Sequence, residues 1–324
     1  MMRRWQGPAL ATLGFVWMTS CSCEREPGSD CPAVSPGAAG AAGSSALRLS
    51  DELREARNPT AARFLAPSTA ELGAYGEWVG AVAKAAWSDT LPVSTPPSGF
   101  EGRLGDSGRL WVLRERSTAK RGAGFLVIRP SARSRLMIQA PHSFFDQGTL
   151  ELALRLFDKT HAKALLINTM HRGGQGEADQ RRKAALSGES EFDVAHTKAS
   201  FFGTAHETLT AQEGRLLTLQ LHGFSDSRAP DVDAIVSAAT TSADAARFAA
   251  ALREVFGNRA VRLYPEEIGI LGGTTNTQAR VSRKLGAGFI HLELSKSARE
   301  RLRADPELQT ALAGAILRVS EGQR

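Results

Sequence analysis

The sequence predicts an α/β fold in which a mainly parallel or mixed sheet is flanked by helices. From Leu136 onward, short apolar runs such as "LMIQA" and "ALLINT" alternate with longer segments of helical periodicity. Strands that are apolar throughout are typical of a parallel sheet covered on both faces. The helical segments also have clear boundaries, with Ser242 before and Gly257 after "ADAARFAAALREVF" and Pro306 at the start of the last helix.

The first 46 residues are predicted to lie outside this fold. A basic start, a short apolar stretch and small residues before Cys21 give residues 1–20 the layout of a secretory signal peptide. The ending "MTSC" is similar to a bacterial lipobox, which implies cleavage before Cys21 and a lipid on its sulfur. An ordinary secretory signal without lipid is the alternative. Residues 21–46, rich in Gly, Ala, Ser and Pro, are predicted to form a flexible tether.

Residues 47–324 are predicted to form a single α/β domain, of which residues 47–100 are a helical extension. Residues 49–65 and 69–87 have the pattern of helices, and the Pro-rich "PVSTPPSGFEG" then breaks the chain. The segments "RLWVLRE" and "GAGFLVIRP" are predicted to pair as a β-hairpin. Residues 173–191 have no apolar periodicity, which indicates either a mobile lid or a plain surface insertion.

Composition excludes several classes of function. All three cysteines precede residue 32, so any metal in the folded region would have to be held by His, Asp and Glu. The net charge of +6 is dispersed and aromatic residues make up 6% of the chain. A groove for single-stranded nucleic acid interleaves aromatic and basic residues, so no nucleic-acid partner is expected.

Polar residues follow the predicted strands at one edge of the sheet. "LMIQAP" ends in His142, "ALLINT" is followed by His171 and Arg172, "LLTLQL" ends in His222, and "GFIHLE" reaches Glu293. Each alone could be a turn or capping residue. Ligands of open α/β sheets bind beyond the carboxyl ends of the strands, so their coincidence at one edge predicts a functional site.

Metal-assisted hydrolysis is the chemistry that this set of residues favours. His142, Asp146 and His222 supply ligands for one Zn²⁺, and Glu293 supplies a general base. Arg172 or Arg280 would bind a substrate carboxylate. Asp146 would also suit the N-terminus of the helix that follows it, so ligand and helix cap remain alternatives. Neither G-x-S-x-G nor H-E-x-x-H is present.

Two further histidines have open roles. His206 lies on the helical segment "AHETL" and faces either the site or solvent. His291 alternates with Glu293 along one strand, so both side chains should face the same side. His291 is then either a partner of Glu293 or a packed histidine.

The ordered motifs between Leu136 and Arg303 resemble the N-formylglutamate amidohydrolase family, whose architecture is that of the zinc carboxypeptidases. They are "APHSFFDQGT", "HRGG", "EFDVAH", "SFFGTAHETL", "LQLHGF", "GILGGTTNTQAR" and "GFIHLELSKSAR". The resemblance implies a zinc hydrolase of amide bonds, with His142 and His222 as ligands and Glu293 catalytic. The substrate-binding candidates on the matched segments are Arg172, His196, His206, Gly273, Asn276 and Arg280.

Three departures from the family pattern affect the third ligand and the substrate. His196 stands in "DVAH" where the family has Arg or Asn, and Gln220 stands where the family has Asp. Asp146 follows His142 by four residues, whereas zinc carboxypeptidases have H-x-x-E.

The expected protein is a hydrolase of the cell envelope, held by a lipid anchor or free in the periplasm or outside the cell. Its substrate would be a small peptide or amide bearing a carboxylate. The alternative is a ligand-binding lipoprotein that has the same fold and no catalytic activity.

Overall fold

A mixed sheet forms the centre of the protein. The computed structural model describes residues 45–56, 65–90, 92, 94–105, 110–132, 134–174, 176–187, 190–238, 243–258 and 260–322. Within these ranges the strands are β1 (Phe100–Leu104), β2 (Trp111–Glu115), β3 (Phe125–Ile128), β4 (Leu136–Ala140), β5 (Ala164–Ile167), β6 (Leu217–Phe224), β7 (Ala234–Ser237), β8 (Val261–Leu263) and β9 (Gly288–Ser295).

The strands have the order β1-β2-β3-β5-β4-β6-β9-β7-β8. The four central strands β5, β4, β6 and β9 are parallel. β1, β2 and β3 continue the sheet as an antiparallel ribbon on one side, and β7 pairs antiparallel with β9 on the other. The prediction of a mixed sheet with a hairpin is confirmed, and the carboxyl ends of the four central strands meet at one edge.

Helices cover both faces of the sheet. They are α1 (Ser45–Ala56), α2 (Thr69–Trp87), α3 (Thr149–Lys159), α4 (Ala178–Ser187), α5 (Phe201–Glu213), α6 (Ala243–Phe256), α7 (Thr277–Lys284), α8 (Lys296–Ala304) and α9 (Pro306–Glu321), with a 3₁₀ turn at Asp226–Arg228. Apolar residues of α1, α3, α6, α8 and α9 share one buried cluster with the sheet, and those of α2 and α5 share a second. Every residue of β3, β4 and β5 is buried, as expected for strands covered on both sides.

Local sequence sets the helix boundaries. Ser68 and Glu71 form a capping box at the start of α2, and Asp305 with Pro306 begins α9. α6 ends at Phe256, and Gly257 follows with a φ of +96°. Ser242, the cap predicted for α6, lies outside the described residues.

Three elements differ from the sequence-based expectation. The polar stretch 173–191 contains α4, whose Ala, Arg, Gln and Lys residues are good helix formers without an apolar stripe. β1 begins within the Pro-rich break and extends beyond it, because pairing with β2 gives it a ladder partner. α7 has only eight residues, too few for a periodic signal.

Other predictions fall on residues that the structure does not describe. The signal peptide, Cys21 and nearly all of the tether lie in residues 1–44, and residues 57–64 of the first predicted helix also lie outside the described ranges. Within the described ranges, no helix is both long and apolar enough to cross a bilayer.

Candidate metal centre and active site

A cleft of about 600 Å³ lies at the carboxyl ends of the central strands. Its walls bring together most of the residues predicted from the sequence, from six separate segments of the chain. They are His142, Asp146, Arg172, His196, His222, Gly273, Asn276 and Glu293. The edge at which parallel strands end therefore forms a cleft lined by imidazole, carboxylate and guanidinium groups.

Two histidines and one aspartate present ligand atoms to one another in the cleft. The Nδ1 atoms of His142 and His222 are 3.1 Å apart. Asp146 Oδ2 lies 3.3 Å from His142 Nδ1 and 3.8 Å from His222 Nδ1. All three side chains are buried. The arrangement provides two imidazole nitrogens and one carboxylate oxygen, the donor set of a catalytic zinc site.

The second nitrogen of each histidine is held by an oxygen. His142 Nε2 lies 2.8 Å from Asp193 Oδ1, and His222 Nε2 lies 2.8 Å from Gln220 Oε1. Metal-binding histidines have this pattern, in which an outer oxygen orients the ring. Two Nδ1 lone pairs facing each other at 3.1 Å repel unless a proton or a cation lies beside them, so the geometry fits a metal ion.

Asp146 is not the cap of α3. Its Oδ2 accepts a hydrogen bond from Gly223 N at 3.0 Å, and its backbone carbonyl accepts from Thr149. The N-cap position of α3 is Gly148, which has no side chain and a φ of +88°. The carboxylate is therefore directed to the two histidines.

Asp193 is the main residue that the sequence did not reveal. It lies in "EFDVAH", three residues before His196. Its carboxylate is hydrogen-bonded to His142 Nε2 at 2.8 Å and to His196 Nδ1 at 3.0 Å, and it forms an ion pair with Arg172. Burial opposes its ionisation, but hydrogen bonds from His142 and His196 hold its pKa far below the usual range. Asp193 therefore remains charged behind His142.

The described residues contain three groups of side chains whose ligand atoms lie close enough for a metal. In the group of His142, Asp193 and His196, the carboxylate already binds the Arg172 cation. In the group of His222, His291 and Glu293, His222 has Nε2 bonded to Gln220 and Nδ1 turned towards His142. The group of His142, Asp146 and His222 fits best, because both Nδ1 atoms and Asp146 Oδ2 face one another while the outer nitrogen of each ring is bonded to an oxygen.

The unequal surroundings of His142 and His222 separate their pKa values. Burial disfavours protonation of His142, but hydrogen bonds to Asp146 and Asp193 outweigh it and raise its pKa to about 9. Burial, together with the neighbouring His291 and His142, lowers the pKa of His222 well below its ordinary value. A positive charge is therefore favoured beside Asp146.

Glu293 lies beside His222 on the neighbouring strand, in direct register with it. Burial, and then the charge of Asp146, raise the pKa of Glu293 to about 8. Its Oε2 has no hydrogen-bond partner among the described residues. A buried carboxyl with a perturbed pKa in a cleft is a candidate acid–base group.

His291 also faces the cleft rather than packing away from it. Its ring stacks on His222 at a centroid distance of 4.3 Å, and its Nε2 lies 3.9 Å from Glu293 Oε1. The main chain of Gly273 covers the ring so closely that a Cβ there would lie 2.8 Å from His291 Cδ2.

Two of the predicted substrate-binding residues do not line the cleft. His206 is fully buried beneath it, because its ring nitrogens contact Gln139 Nε2 and the carbonyl of Gln278. Arg280 is exposed on α7, outside the cleft lining. The expectation that His206 faces either the site or solvent is corrected, and so is the placement of Arg280 in the site.

Arg172 and Arg228 are the guanidinium groups at the cleft. Arg172 is held by Asp193 and lies with Nη1 3.4 Å from His142 Nδ1. Arg228, in the 3₁₀ turn after β6, is exposed and lines the cleft. Its side chain forms no ion pair or hydrogen bond with the part of the chain that the structure describes.

Comparisons with known proteins find fold-level similarity. No family model matches the sequence, and no curated protein is similar to it. Among solved structures, N-formylglutamate amidohydrolase from Ralstonia eutropha is 13% identical, with a TM-score of 0.43 over 62% of this chain and 98% of that one. A bacteriophage poly-gamma-glutamate hydrolase is 16% identical, with a TM-score of 0.40 over 58% and 83%.

A metallo-carboxypeptidase from Burkholderia cenocepacia is 14% identical, with a TM-score of 0.38 over 61% of both chains. Similarity at these levels extends to the fold alone.

Proposed function

We propose that the protein is a metal-dependent hydrolase of amide or peptide bonds. The observation that carries this proposal is the convergence of His142 Nδ1, His222 Nδ1 and Asp146 Oδ2, with the second nitrogen of each ring held by an oxygen. Two histidines and one carboxylate are the protein ligands of many catalytic zinc sites, and the outer oxygens match the usual surroundings of such ligands. One Zn²⁺ would be held by His142, Asp146 and His222.

Zinc bound there would lower the pKa of a coordinated water and polarise the scissile carbonyl. Glu293 would act as the general base, because its Oε2 has no partner among the described residues and burial raises its pKa to about 8, which makes its carboxylate a stronger proton acceptor. A cation bound beside it would favour the ionised form. Glu293 would accept a proton from the attacking water and then donate it to the leaving amine nitrogen. Arg172 pairs with Asp193, whose carboxylate holds His142 Nε2.

The substrate in this proposal is a small peptide or amide bearing a carboxylate. The cleft of about 600 Å³ has the size of a small-ligand site. Arg228 lines it with its charge uncompensated by the described residues, whereas Arg172 is already paired with Asp193. Arg228 therefore takes the carboxylate-binding role that the sequence suggested for Arg172 or Arg280.

The proposed location is the cell envelope, with the folded domain tethered to a lipid on Cys21. This part rests on the sequence of residues 1–46, namely the basic and apolar start, the "MTSC" ending and the tether. The mass of the mature N-terminus tests it, because a mature chain that lacks Cys21 is incompatible with a lipid anchor.

Metal content and one substitution test the hydrolase. The protein purified without chelator should hold about one equivalent of Zn²⁺, and His222→Gln should lose most of it. Glu293→Gln should keep the metal and lose about 10²–10⁴-fold in kcat on a panel of N-acyl amino acids and dipeptides.

Two results would contradict parts of the proposal. Unchanged hydrolysis in Glu293→Gln would rule out this general base, and zinc content that is the same in His222→Gln would rule out this metal site. Zinc binding without hydrolysis of any panel member would support the non-catalytic binding protein instead.

A further inference from the structure

A chain of buried side-chain amides and one imidazole runs from the metal site into the protein interior. Its members are Gln220, Gln139 and His206, all fully buried. Gln220 Oε1 contacts His222 Nε2, Gln220 Nε2 contacts Gln139 Oε1, and Gln139 Nε2 contacts His206 Nδ1, at 2.8, 2.8 and 2.9 Å.

The donor and acceptor roles along this chain are fixed from its inner end. His206 Nε2 lies 3.1 Å from the backbone carbonyl of Gln278, which only accepts, so Nε2 carries the proton. The Ser282 hydroxyl oxygen, 3.2 Å from the same nitrogen, is a second acceptor for that proton. Burial lowers the pKa of His206 to about 3, which keeps the ring neutral. Its Nδ1 is then an acceptor, and Gln139 must donate to it through Nε2.

The orientation of Gln139 sets the orientation of Gln220 and, through it, the tautomer of His222. Because Gln139 donates to His206, its Oε1 faces Gln220 and accepts from Gln220 Nε2. Gln220 Oε1 therefore faces His222 Nε2 at 2.8 Å. A carbonyl oxygen cannot donate, so His222 carries its proton on Nε2 and has a free lone pair on Nδ1.

Two other backbone groups independently fix Gln220 in the same orientation. Asn276 Oδ1 accepts from the amide of Ala279 at 3.0 Å, so the Asn276 NH₂ group faces and donates to Gln220 Oε1. Gln278 Nε2 donates to the carbonyl of Val194 at 2.9 Å, so Gln278 Oε1 accepts from Gln220 Nε2 at 3.3 Å.

We infer that Gln220, Gln139 and His206 are positioning residues that hold His222 in the Nε2-protonated tautomer, with the Nδ1 lone pair directed to the metal site. The amide achieves this without adding a negative charge, whereas His142 is backed by the Asp193 carboxylate. The inference rests on the proposed function only for the identity of the cation that Nδ1 would bind.

The tautomer is measured directly by long-range ¹H–¹⁵N NMR of metal-free, ¹⁵N-histidine-labelled protein. The resonances of His222 are assigned by their loss in His222→Gln. We expect a protonated nitrogen at Nε2 and an unprotonated one at Nδ1. The opposite tautomer in the wild-type protein would overturn the inference, and this readout requires neither metal nor substrate.

Substitutions at Gln220 separate positioning from general stability. Gln220→Met removes the acceptor and should give a mixture of His222 tautomers and about 10–100-fold weaker Zn²⁺ binding. Gln220→Glu restores an acceptor and should restore the Nε2-protonated form. Gln309→Met removes another buried amide, which donates to the carbonyl of Leu302 in α8, and should change neither readout.

An unchanged tautomer and unchanged Zn²⁺ affinity in Gln220→Met would also overturn the inference. If Gln220→Met does not fold, the wild-type spectrum still decides. Loss of hydrolysis with a correct tautomer would count against the proposed enzyme and leave the positioning role intact.

Discussion

Acidification should destabilise the protein through His206, whose neutral ring is fully buried. The pKa of this imidazole falls on folding from 6.5 to about 3 because of burial. Protonation would place a proton on Nδ1, which already accepts from Gln139 Nε2 at 2.9 Å. The folded protein therefore resists taking up a proton that the unfolded chain binds readily.

The sign and size of the effect follow from proton linkage. Because the folded pKa is lower than the unfolded one, the stability from neutral His206 is fully present above 6.5 and is lost as the pH falls towards about 3. Each pH unit within this window costs about 1.4 kcal/mol for one group. Between pH 8 and pH 5 the loss from His206 is therefore about 2 kcal/mol.

Urea unfolding of chelator-treated protein at pH 8 and pH 5 measures the effect. Other buried groups also titrate, so the informative quantity is the difference between wild type and His206→Gln. The variant should be less stable at pH 8, and its further loss on going to pH 5 should be smaller than that of wild type by about 2 kcal/mol. His161→Asn, a change at an exposed histidine, should keep the wild-type pH dependence. An equal pH-dependent loss in wild type and His206→Gln would show that His206 does not cause the loss of stability in acid.

Two further comparisons test the wall of the cleft. Gly273→Ala and Gly286→Ala both place a side chain at a residue of positive φ, +60° and +67° respectively. The Cβ of Ala at position 273 would lie 2.8 Å from His291 Cδ2, whereas the Cβ at position 286 would have no atom within 4 Å. The first should lower the free energy of unfolding by about 1–3 kcal/mol more than the second, and equal losses in urea would argue against a tight contact. Arg228→Ala should raise KM for a carboxylate-bearing substrate by about tenfold or more, roughly 1.4 kcal/mol of binding, with little change for its amidated analogue. Arg280→Ala should leave KM unchanged, and the same increase in both variants would contradict a specific role for Arg228.

The sequence identified the site largely because parallel strands end at a common edge. His142, His222 and Glu293 were predicted from their positions at the ends of apolar runs, and β4, β6 and β9 are adjacent in the sheet. Once the strands are parallel neighbours, their geometry brings these side chains together without further information. Strong periodicity likewise identified α2, α3 and α6.

Contacts made by loops could not be predicted in this way. Asp193 reaches His142 across a separation of 51 residues, and it follows a polar segment with no periodic signal. The helical period of α5 placed His206 on a helix but did not show that α7 and the sheet would enclose it. The sequence also could not show which arginine is free to bind a substrate. Arg172 is paired with Asp193, whereas Arg228 lines the cleft without such a partner among the described residues.

Three of the nine buried side-chain polar atoms that have no hydrogen-bond partner among the described residues belong to this cleft. They are Arg172 Nε, His291 Nδ1 and Glu293 Oε2. A buried polar atom without a partner costs about 1–3 kcal/mol, so folding alone favours removing such groups. The three around the two histidines with facing Nδ1 atoms are explained if the cleft evolved to hold a cation and a polar substrate. The ordered amide chain behind His222 has the opposite character, because every donor and acceptor in it is matched. The protein thus combines a fully hydrogen-bonded support with polar atoms that lack protein partners at the same site, as expected where a rigid scaffold positions residues for a ligand.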